Sequence, residues 1–296
     1  MNLNSCDMCP HKCKVNRLKG QVGRCKAGKN VKVALVSKHE FEEPPISFKN
    51  GSGTIFFSGC NLKCVYCQNY KISSEMYGKE INIDRLANIM IEQQERGVEN
   101  INLVTPTIYI SQIKEAIILA KKKGLTIPIV YNSSGYEEVD SLKELDGLID
   151  IYLPDFKYID DEVAKKYSKI DNYSNYCKKA IIEMRRQVKD NITQDGKLLS
   201  GLIIRHMILP GRVEDTKKII DWIKDTLGKD TIISIMAQYF PTHNAKDYER
   251  INRKITKEEL EQVEDYLFYK DMVNGYIQEL GDNEEEYVPN FNLDNV

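Results

Sequence analysis

Three features of the sequence predict an α/β chain built on a parallel sheet, open or curled into a partial barrel, behind a short cysteine-rich N-terminal module. After residue 52, six short β-branched runs alternate with amphipathic stretches of helical period. No repeat, low-complexity run or flexible linker divides that region. Of the eight cysteines, Cys6, Cys9, Cys13 and Cys25 lie at the start of the chain.

The strands are expected at "GTIFFSG", "NINLVT", "IPIVYN", "DIYLPDFK", "GLIIRHMIL" and "TIISIMAQYF". Helices are expected between them at "IDRLANIMIEQQERG", "SQIKEAIILAKKKG" and "EDTKKIIDWIKDTLG". Ser111 has the chemistry of an N-cap, and Gly124 and Gly228 stand where helix stops belong. A last helix, "TKEELEQVEDYLFYKDMV", follows strand six. Six β-then-α units require right-handed crossovers, hence a partial (β/α)6 arrangement over residues 51–280. Residues 1–50 are expected to form a separate lead-in ending in "EEPPIS", whose adjacent prolines favour an extended strap. The acidic tail, residues 281–296, keeps Tyr287, Val288 and Phe291 and is expected to dock.

The 296 residues carry 42 basic and 44 acidic side chains, a net charge of −2, which gives no sign of a general nucleic-acid or membrane-surface binder. No apolar stretch approaches spanning length, and "MNLNSCDMCPHKC" has no signal-peptide core, so a soluble cytoplasmic protein is expected. In such a chain, clustered cysteines point to metal rather than to a disulfide framework. Cys177, alone in the helical pattern "YSNYCKKAIIEM", reads as a packed thiol.

Parallel α/β folds place chemistry in the loops after strand C-terminal ends. "SGCNLKCVYCQNY" is such a loop, following the first strand, with Cys60, Cys64 and Cys67 separated by three and two residues. Closed zinc sites recruit a fourth ligand, and none is near; the closest histidine, His39, lies across the strand. A four-iron cluster offers four metal corners, so three thiolates leave one iron open. A zinc knuckle and three unrelated buried thiols are the competing explanations.

The pattern "CNLKCVYC", with an aromatic before its last cysteine, resembles the signature of the radical S-adenosylmethionine (SAM) superfamily. The resemblance implies a [4Fe-4S] cluster whose open iron chelates SAM. It further implies reductive cleavage of SAM to a 5′-deoxyadenosyl radical that abstracts hydrogen, a flavodoxin- or ferredoxin-type electron donor, and Tyr66 beside the adenine. Within the superfamily the chain most resembles the pyruvate formate-lyase activating enzyme family, in particular relatives with an N-terminal cysteine cluster. "LPDFK" resembles that family's D-x-K segment and implies a role at the SAM site for Asp155 and Lys157. "IRHMILPG" resembles its I-R-x4-P-G segment and points to Arg205, and "FPTH" resembles its P-x-H ending and points to His243.

Residue chemistry agrees for several of these positions. Period-two alternation places Asp155 and Lys157 on one face at a strand end, where an ion-paired lysine suits a carboxylate ligand and a plain salt bridge is the alternative. Arg205, among Ile203, Ile204 and Met207, needs an anionic partner, either structural or ligand. The Gly-Gly-Glu segment usual after strand two is absent; "NLVTPTIY" offers the Thr105 and Thr107 hydroxyls, or carbonyls beside Pro106, or only a turn. "YNSSGY" supplies Asn132, Ser133 and Ser134 for polar contacts or a turn cap, and Gln238 shares a face with Ser234 and Met236. His206, on the face opposite Arg205, reads as structural.

The N-terminal quartet, with spacings of two, three and eleven residues, completes a closed second metal centre, either zinc or a second four-iron cluster. The overall reading is a radical SAM enzyme. Its target is a glycyl-radical enzyme partner, or a small molecule or free amino acid; a non-catalytic SAM-binding iron–sulfur protein is the third reading.

Overall fold

The computed structural model describes residues 3–281 and 289–296. Tyr287 and Val288, expected to help dock the tail, lie outside the described residues. Among the described residues ten strands run in chain order: β1 (Val31–His39), β2 (Ser52–Phe57), β3 (Lys79–Ile81), β4 (Ile101–Val104), β5 (Ile129–Ser133), β6 (Ile151–Pro154), β7 (Ile192–Gln194), β8 (Lys197–Met207), β9 (Ile232–Met236) and β10 (Gly275–Ile277). They form one sheet in the order β10-β9-β8-β6-β5-β4-β2-β1-β3, with β7 as a short hairpin arm on β8. All six expected strands are present as β2, β4, β5, β6, β8 and β9, and each neighbouring pair among them is parallel. The residues of β2, β4, β5 and β6 are almost wholly buried because helices cover one face and the molecule's interior lies on the other.

Four strands were not expected: the short β3 and β7, and two that extend the main sheet, β1 and β10. β1 pairs antiparallel with β2, His39 opposite Ser52, so residues 31–39 join the main sheet instead of lying in a detached lead-in. β10 adds a seventh parallel strand beside β9, too short and too glycine-dependent to read: a Cβ on Gly275 would fall 2.0 Å from the Ile233 carbonyl oxygen.

The expected extended strap is also a correction. Pro44–Ser47 is a short helix with proline in its first positions, where a missing N–H costs nothing. Its Ile46 packs among Val130, Ile151, Leu153, Leu198, Ile203 and Ile232, and its backbone carbonyl accepts from the Asn100 amide at 2.8 Å. Because β1 ends opposite the first residue of β2, this segment enters the sheet interior from the N-terminal ends of the parallel strands.

The helices lie close to their expected places: Ile83–Glu95, Ile110–Lys122, Tyr173–Val188, Val213–Leu227 and Lys257–Tyr269. Ser111 is not an N-cap; the helix starts one residue earlier, out of the 3-10 turn Pro106–Tyr109, and has no side-chain cap. Thr256 caps the last helix through a reciprocal capping box with Glu259. The tail docks on β1. Phe291 buries against Phe56, Leu293 N–H donates to the Ala34 carbonyl, and Val36 N–H donates to the Asp294 carbonyl.

Candidate active site

The C-terminal ends of the parallel strands and the inner face of the sheet enclose a cavity of about 670 Å³. Cys60, Cys64 and Cys67 line it, delivered by the loop that leaves β2. Gly59 starts that loop at φ +91°, where a side chain would be strained and its Cβ would lie 2.8 Å from the Cys25 carbonyl oxygen. The three thiols are free. Leu62 N–H donates to Cys60 Sγ at 3.3 Å, Cys64 Sγ meets the Ser168 hydroxyl at 2.9 Å, and Cys67 Sγ meets the Ser73 hydroxyl at 3.2 Å. Burial pushes the Cys60 thiol up to about 12 and the Cys64 thiol to about 11, the latter opposed by the Lys157 charge. His39 also borders the cavity, but it pairs with the first residue of β2, while Cys60 follows the last. A six-residue strand, roughly 20 Å, separates them. The donor set is therefore three sulfurs facing open space, which fits a cluster with one iron left unligated.

Across from the thiols stands a network of buried charges. Lys157 Nζ donates to Asp155 at 2.7 Å. Arg205 donates through Nε to Asp155 at 2.9 Å, through Nη2 to the Asn132 side-chain oxygen at 2.6 Å, and through Nη1 to Glu42 at 3.1 Å. Burial alone would raise the Asp155 carboxyl; the Arg205 and Lys157 charges outweigh it and hold it below its usual range. Burial works against the Lys157 ammonium too, and Asp155 restores it, so the ammonium is kept charged. Glu42 and Glu43, from the turn before the Pro44–Ser47 helix, were missed by sequence reasoning. The only signal was an acidic pair ahead of two prolines, and burial raises both carboxyls.

Most of the expected site residues converge here. Tyr66, Thr105, Asn132, Ser133, Ser134, Asp155, Lys157, Arg205 and Gln238 all line the cavity with the three cysteines. Tyr66 is tied by its hydroxyl to Tyr158, which continues through Ser168 at 2.7 Å to Cys64. Ser133 accepts from Gly135 N–H at 3.2 Å, while the buried Ser134 hydroxyl has no partner among the described residues. Thr105 adopts left-handed backbone, φ 62°, a strained state for a β-branched residue.

Two expected residues lie elsewhere. Thr107 is carried away by the 3-10 turn and donates to the buried Glu137 carboxylate at 2.6 Å. His243 sits behind the cysteine loop, stacked on Tyr70 with ring centroids 4.8 Å apart, beside a different depression bordered by Lys63 and Lys169. His206 bonds the Phe156 carbonyl and the Thr216 hydroxyl, and Cys177 is fully buried in the core.

Cys6, Cys9, Cys13 and Cys25 surround one small void of about 10 Å³. Cys6 N–H donates to the Val15 carbonyl and Lys14 N–H to the Cys6 carbonyl, folding the first three cysteines into a tight knuckle. Gly23 permits its closure, since a Cβ there would lie 2.8 Å from Cys13 Sγ. Arg17, 2% exposed, places Nη2 3.6 Å from Cys25 Sγ and donates through Nη1 to the Ile108 carbonyl. Its Nε is buried without a partner, and among the described residues no carboxylate pairs with it. His11 ties the knuckle to the other loop by meeting the Asn61 carbonyl at 2.7 Å.

A family model for the radical SAM superfamily matches residues 54–255. The uncharacterized protein MJ0674 of Methanocaldococcus jannaschii is 33% identical over 269 residues, covering 88% of this chain and 73% of that protein. A second uncharacterized protein of the same organism, MJ0808, is 22% identical over 262 residues, covering 82% of this chain and 72% of its own. Among solved structures, Streptococcus suis SuiB bound to its precursor peptide SuiA superposes with a TM-score of 0.52 at 13% identity, covering 74% of this chain and 46% of SuiB. HydG, a maturase of the [FeFe]-hydrogenase, gives 0.52 at 13% identity over 77% of this chain and 51% of HydG. A spore photoproduct lyase mutant gives 0.51 at 13% identity over 83% of this chain and 79% of that one. The chain thus spans about half the length of SuiB and HydG, and these likenesses concern the fold alone.

Proposed function

Because the chain belongs to the radical SAM superfamily, we propose that it is an enzyme whose cavity holds SAM over a four-iron cluster carried by Cys60, Cys64 and Cys67, and directs hydrogen-atom abstraction from a substrate. We read the curved sheet as a partial barrel over residues 51–280, with residues 1–50 as a metal module and 281–296 as a tail. The observation that carries this reading is the convergence of three cysteines, each free of a disulfide, with Asp155, Lys157, Asn132 and Ser134 on one cavity. When bound, the cluster supplies the electron that cleaves the sulfonium bond of SAM, from a flavodoxin- or ferredoxin-type donor. The chain's own residues do the holding. Lys157 presents an ammonium fixed by Asp155 to a ligand carboxylate, Ser134 offers a free hydroxyl, and Tyr66 and Gln238 form wall. The cavity ends at the Pro44–Ser47 segment among buried polar groups, which favours a small or amino-acid-like target.

A second reading, activation of a glycyl-radical enzyme, is favoured by the "LPDFK", "IRHMILPG" and "FPTH" segments, although His243 lies off the cavity. We also propose a metal at the N-terminal quartet, zinc or a second cluster. A buried arginine with no carboxylate partner among the described residues calls for an anion, and four thiolates around a metal would supply it. The test is anaerobic reconstitution with dithionite and SAM. Formation of 5′-deoxyadenosine supports the enzyme reading, and none under full cluster loading sinks it. A glycyl doublet in the electron paramagnetic resonance spectrum of a mixed partner decides for the second reading.

A further inference from the structure

The inner wall of the cavity carries acceptors that the assignments above leave unused. Glu43 is 8% exposed, yet it lines the cavity, and its Oε2 has no hydrogen-bond partner among the described residues. The cations nearby are already engaged. Arg205 directs Nε, Nη1 and Nη2 to Asp155, Glu42 and Asn132, and Lys157 donates to Asp155. Three carboxylates, Glu42, Glu43 and Asp155, thus line the cavity with two cationic side chains, Lys157 and Arg205. The Ser234 side chain on β9 reaches the Glu43 carboxyl, leaving Oε2 unpartnered among the described residues, and Tyr276 on β10 lies near it. Two residues further along that wall, Gln278 holds its amide nitrogen toward Gln238 at 3.2 Å and leaves Oε1 buried and unpartnered.

Unpaired buried acceptors are costly, and a carboxylate more so than an amide; what both lack is a donor. We propose that this wall is the subsite for a cationic nitrogen group of the substrate, a primary ammonium or a guanidinium, seated on Glu43, with Gln278 as a further acceptor. The proposal rests on the reading of the cavity as the radical SAM site and adds the class of substrate. Such a group donates several hydrogen bonds and, by its charge, holds the Glu43 carboxyl, which burial raises, in its ionised form.

The test uses the full chain, reconstituted anaerobically with SAM present, and calorimetric titration with two matched pairs: 1,4-diaminobutane against 1,4-butanediol, and the peptide Gly-Arg-Gly against Gly-Gln-Gly. The cationic member of at least one pair is expected to bind roughly tenfold or more tightly, and Glu43→Gln to remove that preference. Preference in the first pair identifies a free amine as the source, and preference confined to the second identifies a polypeptide side chain. Equal binding within both pairs, or a preference undiminished in Glu43→Gln, overturns the subsite. A measurement without any variant runs beside it: carbodiimide coupling of 1,4-diaminobutane to the wild-type protein, mapped by peptide mass. An adduct on Glu43 is expected, and adducts confined to other carboxylates refute the assignment. Formation of 5′-deoxyadenosine by the wild type is scored separately. A protein that cleaves SAM but shows no cation preference fails here alone, and one that prefers cations but never cleaves SAM fails only the earlier reading.

Discussion

The two groups of cysteines pack against each other, His11 of one bonded to the Asn61 carbonyl of the other, yet they differ in the space beside their sulfurs. Cys60, Cys64 and Cys67 face a cavity of about 670 Å³, whereas Cys6, Cys9, Cys13 and Cys25 enclose about 10 Å³. Their companion cations differ in the same sense. Lys157 stands in the cavity, held by a carboxylate and able to meet a ligand, while Arg17 is sealed in beside Cys25. The number of thiols alone does not separate the two groups; the open space beside them does.

The sharpest way to break this contrast is Cys64→Ala. Two remaining ligands cannot keep a site-differentiated cluster, so 5′-deoxyadenosine formation should vanish into the assay background; an unchanged rate would remove the distinction altogether. Next in size is the variant lacking Cys60, Cys64 and Cys67. It should still hold the quartet's metal, about one zinc or about four iron per chain by elemental analysis. Cys9→Ala should lose that metal and lower Tm by roughly 10 °C, several kcal/mol for a chain of this size. A metal-free protein in the first case would end the idea of an independent closed site.

A pH series sharpens the same point. In the metal-free fold, burial raises Cys60 to about 12 and Cys64 to about 11, so both thiols are protonated at neutral pH and metal must displace their protons. Iron loading at these cysteines on reconstitution should therefore rise with pH between about pH 6.5 and 8.5, read by iron analysis of the variant lacking the N-terminal quartet. The sign for stability is opposite. A thiol whose folded value exceeds 9.0 stabilises the apo fold fully below pH 9.0 and ceases to do so as pH rises toward 12, which denaturant titrations of apo protein would detect. The smallest effect is expected for Lys157→Met. SAM affinity should weaken by about 1.5–3 kcal/mol, read by calorimetry, with the quartet's metal content untouched. Unaltered affinity with reduced stability would make Lys157 a structural ion pair.

Most of the sheet was legible because its parallel strands are continuous β-branched runs, a local signal. The cysteine loop was legible through spacing, and Asp155, Lys157 and Gln238 through period-two alternation beyond strand ends. What escaped depended on partners distant in sequence. β1 owes its place to β2, and β10 spans three residues that only β9 makes a strand. Glu42 and Glu43 acquire meaning only when Arg205 and Ser234 arrive beside them. Thr107 and His243 lie off the cavity for a different reason. Each comes one or two residues after a proline, and the direction a side chain takes at such a turn is not fixed by its position in the sequence: a 3-10 turn swings Thr107 toward Glu137, and His243 adopts φ 52°.

The short stretch between β1 and β2 carries a last consequence. Residues 40–47 bring in both glutamates and close one end of the cavity, while the cysteines and Lys157 belong to segments at the opposite strand ends. On the proposed reading, reactivity and selectivity belong to separate stretches of the chain. A lineage could exchange this eight-residue connector, with its charge and its depth, and acquire a new target without redesigning the radical-generating apparatus. Relatives that share the cysteine loop but differ in this connector would then be expected to share chemistry and diverge in diet.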